Sequence, residues 1–94
     1  MPRPVRVVHY INQFFGGIGG EEKANSPVQV RDGPAGPGRA LQQLLGGEGT
    51  VVGTIIAGDN YVVEEKGPAM QAVRQALQRY KPDVVVAGPA FEAG

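Results

Sequence analysis

Three short β-branched runs separated by helical patterns constrain this chain more than any other feature. Val5–Ile11 (VRVVHYI), Thr50–Ala57 (TVVGTIIA) and Asp83–Gly88 (DVVVAG) are too short for independent helices and read as strands. The second and third are apolar on both faces, the pattern of strands buried in a parallel sheet. Between them, Gly38–Leu45 groups Leu41, Leu44 and Leu45 on one helical face, with Pro37 at its start and Gly46-Gly47 at its end. Lys66–Tyr80 is the longer helix: Pro68 fits its first turn, Met70, Val73, Leu77 and Tyr80 form an apolar stripe, and Pro82 follows. Strand and helix in alternation predict an α/β fold, a three-stranded parallel sheet with two crossover helices in a Rossmann-like or flavodoxin-like half-domain. A strand order of 2-1-3 places one helix on each face, whereas 3-2-1 strips one face bare. Ninety-four residues make one domain at most, and the third strand has no following helix to cover it. Residues 1–94 are therefore expected to be a single α/β domain or the N-terminal fragment of a larger subunit.

Composition removes several function classes. Nine Lys and Arg balance nine Asp and Glu, so net charge recruits neither nucleic acid nor an anionic membrane. Without cysteine there is no disulfide framework, thiolate metal site or cysteine nucleophile, and a single His excludes a His-rich metal centre. No apolar run approaches the roughly 20 residues that span a bilayer. The opening Met1-Pro2-Arg3-Pro4 leads into a strand with no signal-peptide pattern, so the expected compartment is the cytoplasm.

Residues 12–37 form a long stretch rich in Gly and Pro, expected to be a loop with at most one helical turn. Loops beyond about 12–15 residues are usually functional or disordered. In open α/β sheets ligands bind outside the carboxyl ends of the strands, where three clusters fall: Asn12-Gln13, Asp59-Asn60 and Pro89–Glu92. The plain alternative is that these are ordinary turn residues. Gly16, Gly17, Gly19 and Gly20 followed by Glu21 and Glu22 fail the dinucleotide register, because Glu22 stands where a third glycine belongs and two carboxylates repel a pyrophosphate. These glycines either let a ligand or another chain approach the backbone or form a flexible surface loop. Phe14 and Phe15 predict one ring inward and one exposed as a contact.

His9 lies on the Val5/Val7/Ile11 face and reads as a core or interface histidine, with no nucleophile placed to use it. Glu64 and Glu65 are adjacent and do not face each other on a helix; they suit the start of the Lys66–Tyr80 helix. Lys23 sits in an acidic loop with nothing to lower its pKa. No complete catalytic set is present. The apolar third strand instead predicts self-association, as a dimer through Val84–Ala87, Phe91 or the face around His9.

VHYINQFFGGIGGEEKA (Val8–Ala24), VRDGPAGPG (Val30–Gly38), AGDNY (Ala57–Tyr61) and PDVVVAGPAFEAG (Pro82–Gly94) together resemble the opening of the selenoprotein B family. These are the substrate-specific subunits of glycine, sarcosine and betaine reductases, with relatives in D-proline reductase. The resemblance covers essentially the whole chain. It implies reductive cleavage of a C–N bond in anaerobic amino-acid fermentation, a selenocysteine or cysteine that attacks the substrate, a partner subunit bearing a pyruvoyl group, and a selenoprotein A carrier. It also implies that Asn12, Gln13, Gly16, Gly17, Gly19, Gly20, Glu21, Glu22, Asp59 and Asn60 belong to shared motifs, as binding candidates without a catalytic role. This chain has neither cysteine nor selenocysteine, so residues 1–94 do not perform that chemistry alone. The alternative is a free-standing α/β module holding a ligand at the Asn12/Asp59/Pro89 edge.

Overall fold

A computed structural model describes residues 4–88. Four strands, β1 (Val5–Asn12), β2 (Gln29–Asp32), β3 (Gly49–Ala57) and β4 (Val84–Ala87), form one sheet in the order β2-β3-β1-β4. Three helices accompany it: α1 (Gly38–Leu45), α2 (Asp59–Glu64) and α3 (Lys66–Tyr80). β1 runs parallel to both β3 and β4, so the three strands expected from the sequence lie in the 2-1-3 order. The purely parallel three-stranded expectation fails, because β2 adds an antiparallel edge to β3 and makes the sheet mixed. β2 comes from within the 12–37 stretch, which also holds a 3-10 turn at Glu21–Lys23. Four residues with Arg31 and Asp32 exposed carry little hydrophobic signal; the pairing partner, not propensity, makes this segment a strand.

The crossover from β3 to β4 also differs from expectation, since α2 precedes α3 and the two meet at Glu65 (φ −119°, ψ 54°). α2 begins where the sequence suggested only a turn. Its first amides find a remote partner, the carbonyl of Ala24, which accepts from Asn60 N (2.8 Å) and Tyr61 N (3.0 Å).

The two sheet faces are covered by different means. On one, Val8 and Ile55 pack with Ala76 and Tyr80 of α3, flanked by Tyr10, Val28, Val30, Val52, Val73 and Leu77. The β1–β3 ladder shifts between Val7 and Val8, making Val52 the extra residue of a bulge. A Cβ on Gly53 would stand 2.6 Å from the Tyr80 ring, so the missing side chain makes room for that aromatic. Tyr80 is fastened at both ends: its hydroxyl donates to Asp32 of β2, and its carbonyl accepts from Arg6 Nε (3.0 Å) and Nη2 (2.6 Å). The stripe of α3 is shifted from the expected one, with Ala69 and Ala76 buried and Met70 half exposed, because close approach to the sheet favours alanine.

The opposite face carries Val7, His9 and Ile11 beside Val51, Thr54 and Ile56, all buried. Backbone covers much of it. A Cβ on Gly16 would lie 2.6 Å from Ile56, and one on Gly38, at the start of α1, would lie 3.0 Å from His9 Nδ1. α1 is held by a side-chain clamp, Gln42 donating to Gly49 O (2.9 Å) and accepting from Val51 N (2.8 Å). Its leucine stripe is only partly used: Leu41 and Leu45 are partly buried, but Leu44 is 87% exposed. β4 is likewise less buried than its sequence suggests, with Val84 and Val85 nearly half exposed.

Ile55→Ala is expected to lower unfolding free energy by about 2–4 kcal/mol, since it empties a fully buried site. Leu44→Ala is expected to change it by less than about 0.5 kcal/mol. Urea unfolding of both variants checks the pair, and a large loss at Leu44 would contradict the packing of α1.

Candidate binding cleft at the carboxyl ends of the strands

β1 is followed by a chain that crosses to β3, and β3 by a chain that crosses back over β1 to β4. The carboxyl ends of β1, β3 and β4 therefore share one edge of the sheet, the edge at which open α/β sheets take ligands. A cleft of about 320 Å³ lies there, lined among others by Tyr10, Asn12, Ala57, Asp59, Ala87 and Gly88.

Two of the three expected clusters meet at this edge. Asn12 Nδ2 donates to Asp59 Oδ2 (3.3 Å), while Asn12 Oδ1 accepts from Phe15 N (3.0 Å). Gln13 Oε1 accepts from Asp59 N (3.0 Å), and Gln13 Nε2 donates to Gly20 O (3.3 Å). The backbone carbonyl of Gln13 accepts from Ile18 N (2.9 Å) and Gly19 N (3.3 Å). Both side chains are buried, Asn12 at 5% and Gln13 at 2% exposure, because they stitch the loop after β1 to the start of α2. Asp59 is exposed and sits on the cleft wall, while Asn60 is exposed and off it. The third cluster, Pro89–Glu92, lies outside the described residues.

The four loop glycines have separate roles and do not line the cleft. Gly16 is buried against Ile56, and Gly17 takes φ +77° at an exposed turn. Gly19 and Gly20 lie against the flexible side chains of Lys23 and Glu22. Glu22 is exposed and accepts from Gly20 N (3.0 Å); hydrogen bonds from its own amide and that of Gly20 hold its carboxyl below the usual range. The side chain of Glu21 lies outside the described set. Phe14 is half exposed and Phe15 partly buried, their rings edge to face at 5.3 Å.

His9 is a core residue. Its Nε2 donates to the Gly88 carbonyl, which fixes the tautomer, and Nδ1 faces Gly38 without a hydrogen-bond partner. At 2% exposure it offers no contact surface, so the expected association face around His9 is withdrawn: the start of α1 covers it. Among the described residues no group of three or more side chains could hold a metal ion. The signal the sequence reading missed was Tyr10, whose position two residues before Asn12 places both on one side of the strand. Burial first, and the charge of Asp59 second, push its hydroxyl above the ordinary tyrosine value.

Two outcomes follow from this geometry. Gln13→Ala strands the Asp59 amide and the Gly20 carbonyl, and is expected to destabilise the chain by about 1–3 kcal/mol in thermal unfolding, against less than about 0.5 for Asn60→Ala. Asp59→Asn removes the anion that disfavours phenolate, so the Tyr10 titration midpoint should fall in a spectroscopic pH titration; an unchanged midpoint would separate the two groups.

Comparison with known proteins places this chain among relatives. The profile of the glycine/sarcosine/betaine reductase selenoprotein B family matches residues 4–94. The chain is 55% identical over 89 residues to the glycine reductase complex component B subunit gamma of Carboxydothermus hydrogenoformans, covering 95% of this chain and 20% of that protein. It is 50% identical over 92 residues to the sarcosine reductase complex component B subunit beta of Peptoclostridium acidaminophilum, covering 98% and 21%. With the betaine reductase complex component B subunit beta of the same organism, identity is 38% over 89 residues, covering 95% and 20%. The chain therefore spans about a fifth of the length of these relatives. No solved structure matches it. By residues 4–94, the chain belongs to the glycine/sarcosine/betaine reductase selenoprotein B family.

Proposed function

We propose that residues 1–94 are the N-terminal α/β segment of the substrate-specific B subunit of a glycine, sarcosine or betaine reductase. In this reading the segment takes part in reductive C–N cleavage by supplying a wall of the substrate site or a subunit contact, and is not catalytic alone. The observation that carries it is the near-complete coverage of this chain against a fifth of each relative. A chain without cysteine supplies no thiol or selenol to attack a substrate, so that group falls to the rest of the subunit and the pyruvoyl group to a partner subunit. A selenoprotein A carrier completes the partner set, in the cytoplasm. Among the described residues no helix is long and apolar enough to cross a membrane.

The described surface offers two places for such contacts. One is the loop Gly16–Lys23 with the half-exposed Phe14 beside it; the other is β4, uncharged and with both Val84 and Val85 open to solvent. With the His9 face covered by the start of α1, β4 is the surface among the described residues through which two copies of this chain would pair when it stands alone. The cleft at Tyr10 and Asp59 favours the second reading, a free-standing ligand-binding module.

The gene separates the two. A reading frame that continues past Gly94, through any in-frame UGA, to roughly five times this length with a cysteine or selenocysteine supports the subunit; an authentic stop favours the module. In the full-length subunit, Phe14→Ser is expected to reduce co-purification with partner subunits strongly while lowering its melting temperature only modestly, through the lost ring contact with Phe15. For the isolated chain, Val85→Lys is expected to shift sedimentation at high concentration from dimer to monomer. A wild-type monomer under those conditions defeats the pairing through β4.

A further inference from the structure

The two edges of the sheet are built differently, and only one has the features of a true edge. β2 is short and antiparallel, and it places Gln29, Arg31 and Asp32 in solvent, with Asp32 tied to Arg79 and Tyr80. Charges on a short strand discourage a neighbour from pairing there. β4 (VVVA) carries no charge, no proline and no bulge, and among the described residues it pairs with β1 alone. Its register sets Val85 beside Val8 on the α3 face and Val84 beside Val7 on the opposite face, and both valines are nearly half exposed. Apolar residues on both faces mark a strand inside a parallel sheet, flanked by strands and covered by helices. The end of β4 is also fixed. Gly88, at φ +110°, donates its amide to Tyr10 O (2.9 Å) and accepts from His9 Nε2, so the chain reaches the carboxyl edge at a defined point.

We propose that β4 is an interior strand of the full-length subunit, where the polypeptide beyond residue 94 adds a parallel strand to its free edge through a helical crossover on the α3 side. This rests on the reading of the chain as the opening segment of a B subunit, of whose length it spans about a fifth. The side follows from handedness, because crossovers between parallel strands are right-handed. α1 carries the chain from β1 to β3 on the His9 face, and α3 carries it the opposite way, from β3 to β4, on the Val8 face. A step outward from β4 runs in the same direction as the step made by α3. The same hand therefore puts its helix on the same face, over Val85. Two copies pairing edge to edge would satisfy the backbone of β4 and leave Val85 without that cover. The consequence for the cleft is direct. The chain then leaves β1 and β4 in opposite directions and on opposite faces, so the crevice between their carboxyl ends is a topological switch point, the place where open α/β sheets take ligands. The cleft lined by Asn12, Asp59 and Gly88 lies there. Of the two contact surfaces, β4 serves the subunit's own fold, and the Gly16–Lys23 loop is left for partner subunits.

Thiol labelling and hydrogen exchange of the full-length subunit, purified without its partner subunits, test this. Residues 1–94 hold no cysteine, so peptide mass spectrometry follows an introduced thiol there without ambiguity. Positions 31, 84 and 85 are all open among the described residues, so without a covering element Arg31→Cys, Val84→Cys and Val85→Cys label alike. The expected result is that Val85→Cys labels about tenfold more slowly than Arg31→Cys, and more slowly than Val84→Cys. In the unsubstituted subunit, the amides of 84–87 should exchange about tenfold more slowly than those of 29–32, and equally so across about a hundredfold dilution. If Val85→Cys labels as fast as Arg31→Cys, or if the amides of 84–87 exchange as freely as those of 29–32, the proposal is overturned. Protection that fades on dilution assigns the edge to a second copy, and protection that appears only with partner subunits assigns it to them; either overturns it. A slow Val84→Cys beside a fast Val85→Cys puts the crossover on the wrong face and overturns it as well. A gene that stops at Gly94 removes the subunit reading, and this proposal with it. A gene that continues, with β4 open in its product, removes the proposal alone.

Discussion

The parallel ladder between β1 and β3 is the interaction on which the other elements depend, because it creates two apolar faces at once and sets what must cover each. Val8 and Ile55 face α3, while His9, Ile11 and Ile56 face the loop that leads into α1. The bulge at Val52 lets Gly53 fall under Tyr80. Tyr80 then ties three strands to α3: its hydroxyl donates to Asp32 on β2, its ring fills the space above Gly53 on β3, and its backbone carbonyl accepts from Arg6 on β1. A substitution that displaced the ladder by one residue would exchange the two faces and present His9 to α3.

Covering one face largely with backbone explains the composition of the chain. Side chains at Gly16, Gly36 or Gly58 would collide with Ile56, with the Phe15 carbonyl or with the Ala24–Ser26 backbone. Glycine content here reflects close packing of a loop on a sheet as well as turn geometry. The same tight course carries Asn12 and Gln13 into burial, where each finds partners across the gap to Asp59. The carboxyl edge of the sheet is therefore held by polar side chains that are themselves part of the core, a rigid base for an exposed carboxylate.

Exposed apolar residues are spread over the surface, at Phe14 just past β1, at Val5 at its start, at Val84 and Val85 of β4, at Leu44 of α1 and at Val63 and Met70 around the α2–α3 junction. For Leu44, Met70, Val84 and Val85 the sequence patterns predicted deeper burial than the described residues provide, whereas Val63 lies in α2, where the sequence suggested only a turn.

Much of the fold was legible from local pattern. Valine and isoleucine runs of strand length identified β1, β3 and β4, and the position of Asn12 and Asp59 just past strand ends placed them at the carboxyl edge of the sheet. The motifs carried the family. What the sequence by itself determined was thus the succession of β1, α1, β3, α3 and β4, the parallel pairing of β1 with β3 and β4, and the meeting of Asn12 and Asp59 at the carboxyl edge. Tertiary structure alone decided the antiparallel β2, which becomes a strand only because β3 offers it a free edge, and α2, whose first turn depends on the distant Ala24 carbonyl. It also decided that Tyr10 joins Asp59 at one cleft, since their proximity arises from the register of two strands nearly fifty residues apart and from no local preference of either residue.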